Sequence, residues 1–136
     1  MIERSLLQQI GRTGRAMHAA FESEVGIALT KWRILQALSE SGKRSQKELS
    51  AGLAMDPGLL TRQLKQMEQD GLVKRKSAKE DNRMTLVELT EEGRSLFESL
   101  QEKRTNFSEK SLSGLPEEKL TIAMEILKAM EQRFRR

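Results

Sequence analysis

Residues 56–92, DPGLLTRQLKQMEQDGLVKRKSAKEDNRMTLVELTEE, decide the fold. Asp56-Pro57 reads as a helix start. The carboxylate can accept the free N–H groups of a first turn, and proline fits the first helical position because no N–H is needed there. Over 57–69, Leu60, Leu64 and Met67 recur on one side at helical spacing. The other side carries Gly58, Thr61, Arg62 and Lys65. Gly71 is placed to end this helix in a left-handed turn. Residues 72–76 and 84–89 then read as two short strands, joined by the charged SAKEDNR. Thr90-Glu91-Glu92 opens another helix with a hydroxyl cap and acidic residues in its first turn.

The same signals extend outward. Upstream, Ser45-Gln46-Lys47-Glu48 fits a capping box, in which serine and glutamate satisfy each other's backbone N–H. A short helix to about residue 53 follows it. Thr30 is the expected cap of a helix with Trp32, Leu35 and Leu38 facing inward, closed by Gly42. A first helix runs from 2 to about 24, with Leu6, Ile10, Gly14, Met17 and Phe21 on one face, and Gly26 breaks it. Downstream, the helix opened by Thr90 carries Leu96, Phe97 and Leu100 inward and is expected to reach about residue 110. SLSGLP is a turn. A last helix over 117–136 bears a stripe of Leu120, Met124, Leu127, Met130 and Phe134, with Ile122 and Ile126 beside it.

The resulting fold class is mainly α with a small two-stranded β-hairpin: a winged helix-turn-helix between flanking helices. The domain division is 1–29, 30–90 and 91–136. One winged-helix unit is too small to cover the first helix and both faces of the last. Pairing with a second copy through Leu6, Ile10, Leu120, Ile126, Leu127, Met130 and Phe134 would bury them. The 91–136 and 1–29 segments are therefore read as a helical dimerisation domain.

Side-chain chemistry points to duplex DNA. A helix entering the major groove needs polar, reaching side chains near its N-terminus. Arg62 can reach guanine acceptors, Thr61 can touch bases or phosphate, and Gly58 permits close approach. The N-termini at Pro57 and at Ser45-Gln46 attract phosphate. The hairpin gathers Lys74, Arg75, Lys76, Lys79 and Arg83, which together with Lys65 suit a phosphate wall or minor groove. The charge distribution agrees. The 136 residues hold 24 Lys and Arg against 20 Asp and Glu, a net +4. Residues 57–83 alone hold seven basic and four acidic side chains, so the excess sits under the helix and hairpin.

Composition removes other classes. Without cysteine there is no disulfide, thiolate metal site or thiol redox chemistry. One histidine leaves no conventional metal site, and no cofactor is implied. The seven methionines are scattered along helices, as gap-filling core residues are. No candidate nucleophile–base pair is visible, so an enzyme is not expected. No apolar run approaches the roughly 20 residues of a membrane span, and no secretion signal is read, so a cytoplasmic location is expected.

Three segments together resemble one family. Glu68-Gln69-Asp70-Gly71-Leu72-Val73-Lys74-Arg75, then Glu80-Asp81-Asn82-Arg83, then Leu89-Thr90-Glu91-Glu92-Gly93 resemble the MarR family of bacterial transcriptional regulators. Met67 stands where leucine is usual. The resemblance implies a homodimer built through the first and last two helices. It also implies that Arg83 enters the minor groove with Asp81 bracing it. That is physically reasonable, since arginine favours narrow minor grooves and a nearby carboxylate can hold a guanidinium. It further implies a repressor of palindromic operators, relieved by a small aromatic or anionic effector. Met17, His18, Phe21 and Trp32 are the candidate effector pocket; the alternative is that Phe21 and Trp32 are core and His18 a surface residue. The competing functional reading is a winged-helix protein–protein adaptor.

Overall fold

The computed structural model describes residues 2–78 and 83–135. The expected roles of Lys79 and Asp81, and the acidic part of the wing tip, lie outside the described residues. By contacts the chain divides into two compact units, Met1–Arg104 and Thr105–Arg136.

The first unit begins with α1 (Ile2–Val25), which stops where Gly26 adopts φ 91°. Helix α2 (Leu29–Ser41) buries Trp32, Ile34, Leu35 and Leu38 and ends at Gly42, whose N–H reaches the Leu38 carbonyl at 2.9 Å. Thr30 does not cap it. The helix starts two residues earlier, its N-cap is Ala28, and no side chain bonds the first turn. The Trp32 N–H instead closes onto the Ala28 carbonyl at 3.0 Å, so ordinary helical bonding begins there.

Ser45 and Asp56 behave as their chemistry dictates. Helix α3 (Gln46–Leu53) opens with the capping box: the Glu48 N–H donates to Ser45 Oγ at 3.0 Å, and the Ser45 N–H donates to Glu48 Oε1 at 3.2 Å. Helix α4 (Pro57–Gln69) opens with the Leu59 N–H donating to Asp56 Oδ2 at 3.0 Å. At its far end Gly71, at φ 78°, turns the chain so that the Leu72 N–H reaches the Met67 carbonyl at 2.9 Å. The chain then enters the hairpin β2 (Val73–Ser77) and β3 (Thr85–Leu89).

The expected hairpin is present and gains a third member. A two-residue strand β1 (Arg44–Ser45) pairs antiparallel with β3, giving the order β1-β3-β2. Across β2 and β3 the register places Lys74 opposite Glu88, Arg75 opposite Val87, and Lys76 opposite Leu86. One core serves helices and sheet: Ile34, Leu35, Leu38, Leu49, Leu60, Leu64, Met67, Val73, Val87 and Leu89 are all buried together. Each such side chain contributes about 1.5–3 kcal/mol by leaving water. This core fixes α4 and the hairpin to one rigid base.

The helix opened by Thr90 is interrupted. It forms α5 (Glu91–Ser99) and α6 (Gln101–Leu112), separated at Leu100. There the N–H turns to the Phe97 carbonyl, three residues back, at 3.2 Å, a tighter turn than the α-helix. Leu100 is buried at this turn, and Arg104 lies 5.0 Å over the Trp32 ring. The second unit holds the rest of α6 and α7 (Glu117–Phe134). Helix α7 is capped by Pro116 without a side-chain bond, and none of its residues is buried.

A candidate nucleic-acid interface

The candidate surface is assembled by α3, α4 and the hairpin. On α4, Leu60, Leu64 and Met67 face the core, so Gly58, Arg62 and Lys65 must face solvent, and they do. Thr61 is half-buried at the edge of this face. Its hydroxyl donates to the Pro57 carbonyl at 2.9 Å, which spends its proton and leaves an acceptor outward. A Cβ added at Gly58 would lie 3.1 Å from Asp56 Oδ2 and 3.6 Å from Arg62 Nη1. Glycine here leaves room for the Arg62 guanidinium beside the capping carboxylate.

Two grooves flank this face. One, of about 440 Å³, runs between α3 and α4 and is lined by Gln46, Lys47, Ser50, Pro57, Leu60 and Thr61. The other, of about 310 Å³, is lined by Ser45, Gln46, Lys47, Arg83, Met84 and Thr85. Gln46 and Lys47 line both, so the N-terminus of α3 joins the recognition helix to the base of the wing. Lys47 is absent from the sequence-based set. Its position at the second residue of a capped helix, where side chains stand beside open backbone N–H groups, is the signal that could have included it.

The wing cations do not form one uniform patch. Lys76 is exposed. Lys74 is exposed too, and its ammonium lies 3.4 Å from Glu88, its cross-strand neighbour. Arg75 differs from both. Strand alternation turns it toward the helices, its side chain is 18% exposed, and its guanidinium is bound on two sides. Nε and Nη2 donate to Glu68 Oε1 at 3.3 and 3.0 Å, and the Arg75 backbone N–H donates to Glu68 Oε2 at 3.1 Å. Nη1 donates to Gln46 Oε1 at 3.1 Å. Arg75 therefore does not join Lys74 and Lys76 on the outer face, contrary to the expected cluster. Glu68, which organises it, was visible in sequence only as part of a family motif.

Both organising carboxylates are held below the usual carboxylate range. For Glu68 the chief cause is the hydrogen bond from the Arg75 side chain. For Glu48 it is the hydrogen bond from the Ser45 backbone, then that with the Ser45 side chain.

Of the candidate effector-pocket residues, the structure brings two together. Phe21 and Trp32 are buried with ring centroids 5.8 Å apart, and Phe97 lies 6.0 Å from Trp32 on another side. Trp32 Nε1 is buried without a hydrogen-bond partner. Met17 and His18 are exposed on α1. Of the pairing residues, Leu6, Ile126, Leu127 and Phe134 are exposed, while Ile10, Leu120 and Met130 are half-buried. Among the described residues, no cluster of His, Cys, Asp or Glu could hold a metal ion, and no helix is long and apolar enough to cross a membrane.

Comparison with known proteins agrees with this architecture. The MarR family model matches residues 27–85. The uncharacterized HTH-type transcriptional regulator YdgJ of Bacillus subtilis (strain 168) is 31% identical over 128 residues, covering 94% of this chain and 78% of that protein. Among solved structures, a mutant MarR from E. coli complexed with operator DNA superposes with a TM-score of 0.85 at 21% identity, covering 93% of each chain. The PcaV transcriptional regulator of Streptomyces coelicolor, in complex with its natural ligand, also gives 0.85, at 16% identity, covering 91% of this chain and 89% of that one. A polar-faced recognition helix seated on the same core as a β-wing defines a winged helix-turn-helix protein. The chain belongs to the MarR family.

Proposed function

We propose that this chain is a DNA-binding transcriptional regulator that acts as a homodimer on inverted-repeat operators. The observation that carries the reading is the pairing of α4 with the wing through a shared core and a shared residue, Gln46. That arrangement presents Gly58, Thr61 and Arg62 for base edges. Lys65, Lys74, Lys76 and the N-termini at Ser45-Gln46 and Pro57 serve phosphates. Arg83 lines the groove at the wing base beside Lys47, a position from which it would sense minor-groove width. Relatives at the level of the whole chain are transcriptional regulators, and one neighbour of the same fold is bound to operator DNA.

Pairing and regulation complete the proposal. Residues 1–29 and 91–136 serve as dimerisation helices around the DNA-binding segment 30–90. Their exposed apolar side chains support a second copy as the occupant. A two-fold dimer sets its recognition helices about one DNA turn apart, roughly 34 Å, and so selects a palindrome. The regulator acts in the cytoplasm as a repressor. A small aromatic or anionic effector bound near Met17, His18, Phe21 and Trp32 releases it by changing half-site separation. One neighbour of the same fold, the PcaV transcriptional regulator, is itself in complex with its natural ligand. With no cysteine in the chain, release by thiol oxidation is not available to it.

The deciding experiment is a mobility shift with random-sequence duplex at low and high salt. Binding that weakens steeply with salt supports DNA as partner. Absence of binding at low salt would instead favour a protein partner for the same surface.

A further inference from the structure

We propose that Arg75 is a positioning residue, clasping the wing to the recognition helix through Glu68 and Gln46, and that it makes no phosphate contact. This rests on the DNA-binding reading above and concerns how that surface is held.

Three features of the geometry lead there. First, the Arg75 guanidinium is already committed. Three of its N–H groups are spent on Glu68 and Gln46, and its charge is offset by a carboxylate at 3.0 Å. Releasing it toward a phosphate would strand Glu68 next to DNA. Second, the clasp spans the whole recognition helix. Glu68 lies in the last turn of α4, while Gln46 reaches Thr61 in its N-terminal half, Nε2 to Oγ1 at 3.4 Å. Strand β2 is thus tied to both ends of α4 by one side chain and its neighbour.

Third, the hydrogen-bond polarity is fixed along the chain. Arginine can only donate, so Gln46 must turn its oxygen to Arg75 and its amide N–H groups to Thr61. Thr61 has given its proton to Pro57, so it accepts. Arg75 thereby sets the orientation of Gln46, which turns its amide N–H groups to Thr61, a residue proposed to touch bases. Lysine, a point charge without the planar fork, cannot make both contacts at once. The depressed titration of the Glu68 carboxyl is consistent with a permanent pair.

The test compares Arg75→Lys, Gln46→Met and the double variant Glu68→Gln/Arg75→Gln with wild type. The probes are random-sequence duplex over a salt series and an operator recovered by selection from a random pool. Lys76→Gln is the reference phosphate variant. For the clasp, random-duplex affinity and salt slope stay at wild-type values in Arg75→Lys and in the double variant, while Gln46→Met is read only by its operator preference relative to random duplex. The preference for operator over random duplex falls about tenfold, because the lost bonds are to a charged group. Lys76→Gln loses affinity on both probes and about one from the salt slope. The assignment is overturned if Arg75→Lys matches wild type on both probes while the double variant loses about one from the slope. It is equally overturned if Gln46→Met keeps full operator preference. A wild-type chain that shows no salt-dependent binding to random duplex overturns the DNA reading itself, and the clasp with it.

Discussion

Gly93 and Leu72 are in direct backbone contact: the Leu72 carbonyl oxygen occupies the space where a Cβ on residue 93 would sit. The same carbonyl accepts the Thr90 N–H at 3.0 Å, and the Thr90 hydroxyl bridges the junction, donating to the Gly71 carbonyl at 2.5 Å and accepting the Gly93 N–H at 3.0 Å. The start of α5 is therefore welded to the exit of α4. This is the physical content of the Leu89-Thr90-Glu91-Glu92-Gly93 segment: the threonine caps, and the glycine admits a carbonyl.

Gly93→Ala should be strongly destabilising. The obstructing atom is backbone, held by its own hydrogen bond, so it cannot step aside as a side chain would. The cost should reach or exceed the upper end of the roughly 1–3 kcal/mol usual for overpacking. Urea unfolding followed by circular dichroism measures it. A midpoint unchanged from wild type would mean that α5 can shift freely against Leu72.

Ala54→Gly should be stabilising. Ala54 joins α3 to the segment leading into α4 at φ 53°, ψ 44°, a left-handed conformation that opposes its Cβ. Arg33 donates to the neighbouring Leu53 carbonyl at 2.7 Å and holds the turn in place. Relief of the left-handed strain outweighs the extra flexibility glycine gives the unfolded chain, for a net gain of about 0.5–1 kcal/mol. The same unfolding measurement checks it, and a loss of stability would show that the turn is not strained.

Arg62→Ala and Lys76→Ala should separate base reading from phosphate binding. Loss of Arg62 should cost about 1–3 kcal/mol on the selected operator and little on random duplex. Loss of Lys76 should weaken both alike. Lys74 is the poorer probe because Glu88 already offsets its charge. Fluorescence anisotropy on both duplexes decides. Equal losses for Arg62→Ala on every sequence would remove its base-reading role.

Acid should loosen the wing before it unfolds the core. Glu68 has a folded-state pKa below its unfolded value, so its contribution is complete above the ordinary carboxylate range. It is lost as pH falls through the depressed value. Between neutral pH and roughly pH 3, wild type should therefore lose more stability than Glu68→Gln, which has no such proton to take up. Glu68 is well exposed, so the difference is small. Parallel pH profiles of the urea midpoint for the two proteins would contradict it.

The local signals were legible in sequence and the non-local ones were not. Ser45 with Glu48, Asp56 with Pro57, and Thr90 each act within three residues, so spacing alone located three helix starts. Helical periodicity likewise found the buried side of α4. Thr30 failed as a cap because Ala28 could start the helix without any side chain. Strand β1 is two residues long, too short to show alternation, and exists only because β3 comes back beside it. The break at Leu100, where the N–H turns to the Phe97 carbonyl, is announced by no glycine, proline or other local pattern. At the site, alternation tells that Arg75 faces away from Lys74 and Lys76. That its partners would be Glu68 and Gln46 depends on the tertiary fold.

The association state is a separate prediction. Sedimentation at micromolar concentration should give twice the 15.5 kDa chain mass, and Leu127→Glu should reduce it by half. A wild-type monomer would leave the exposed apolar side chains of α1 and α7 without the proposed occupant.

Selection of bound oligonucleotides from a random duplex pool tests the proposed function most directly. The expected product is an inverted repeat with half-site centres about one helical turn apart, enriched by wild type and lost with Arg62→Ala. An enriched set without two-fold symmetry, or no enrichment over the starting pool, would contradict a paired recognition helix and wing on one duplex.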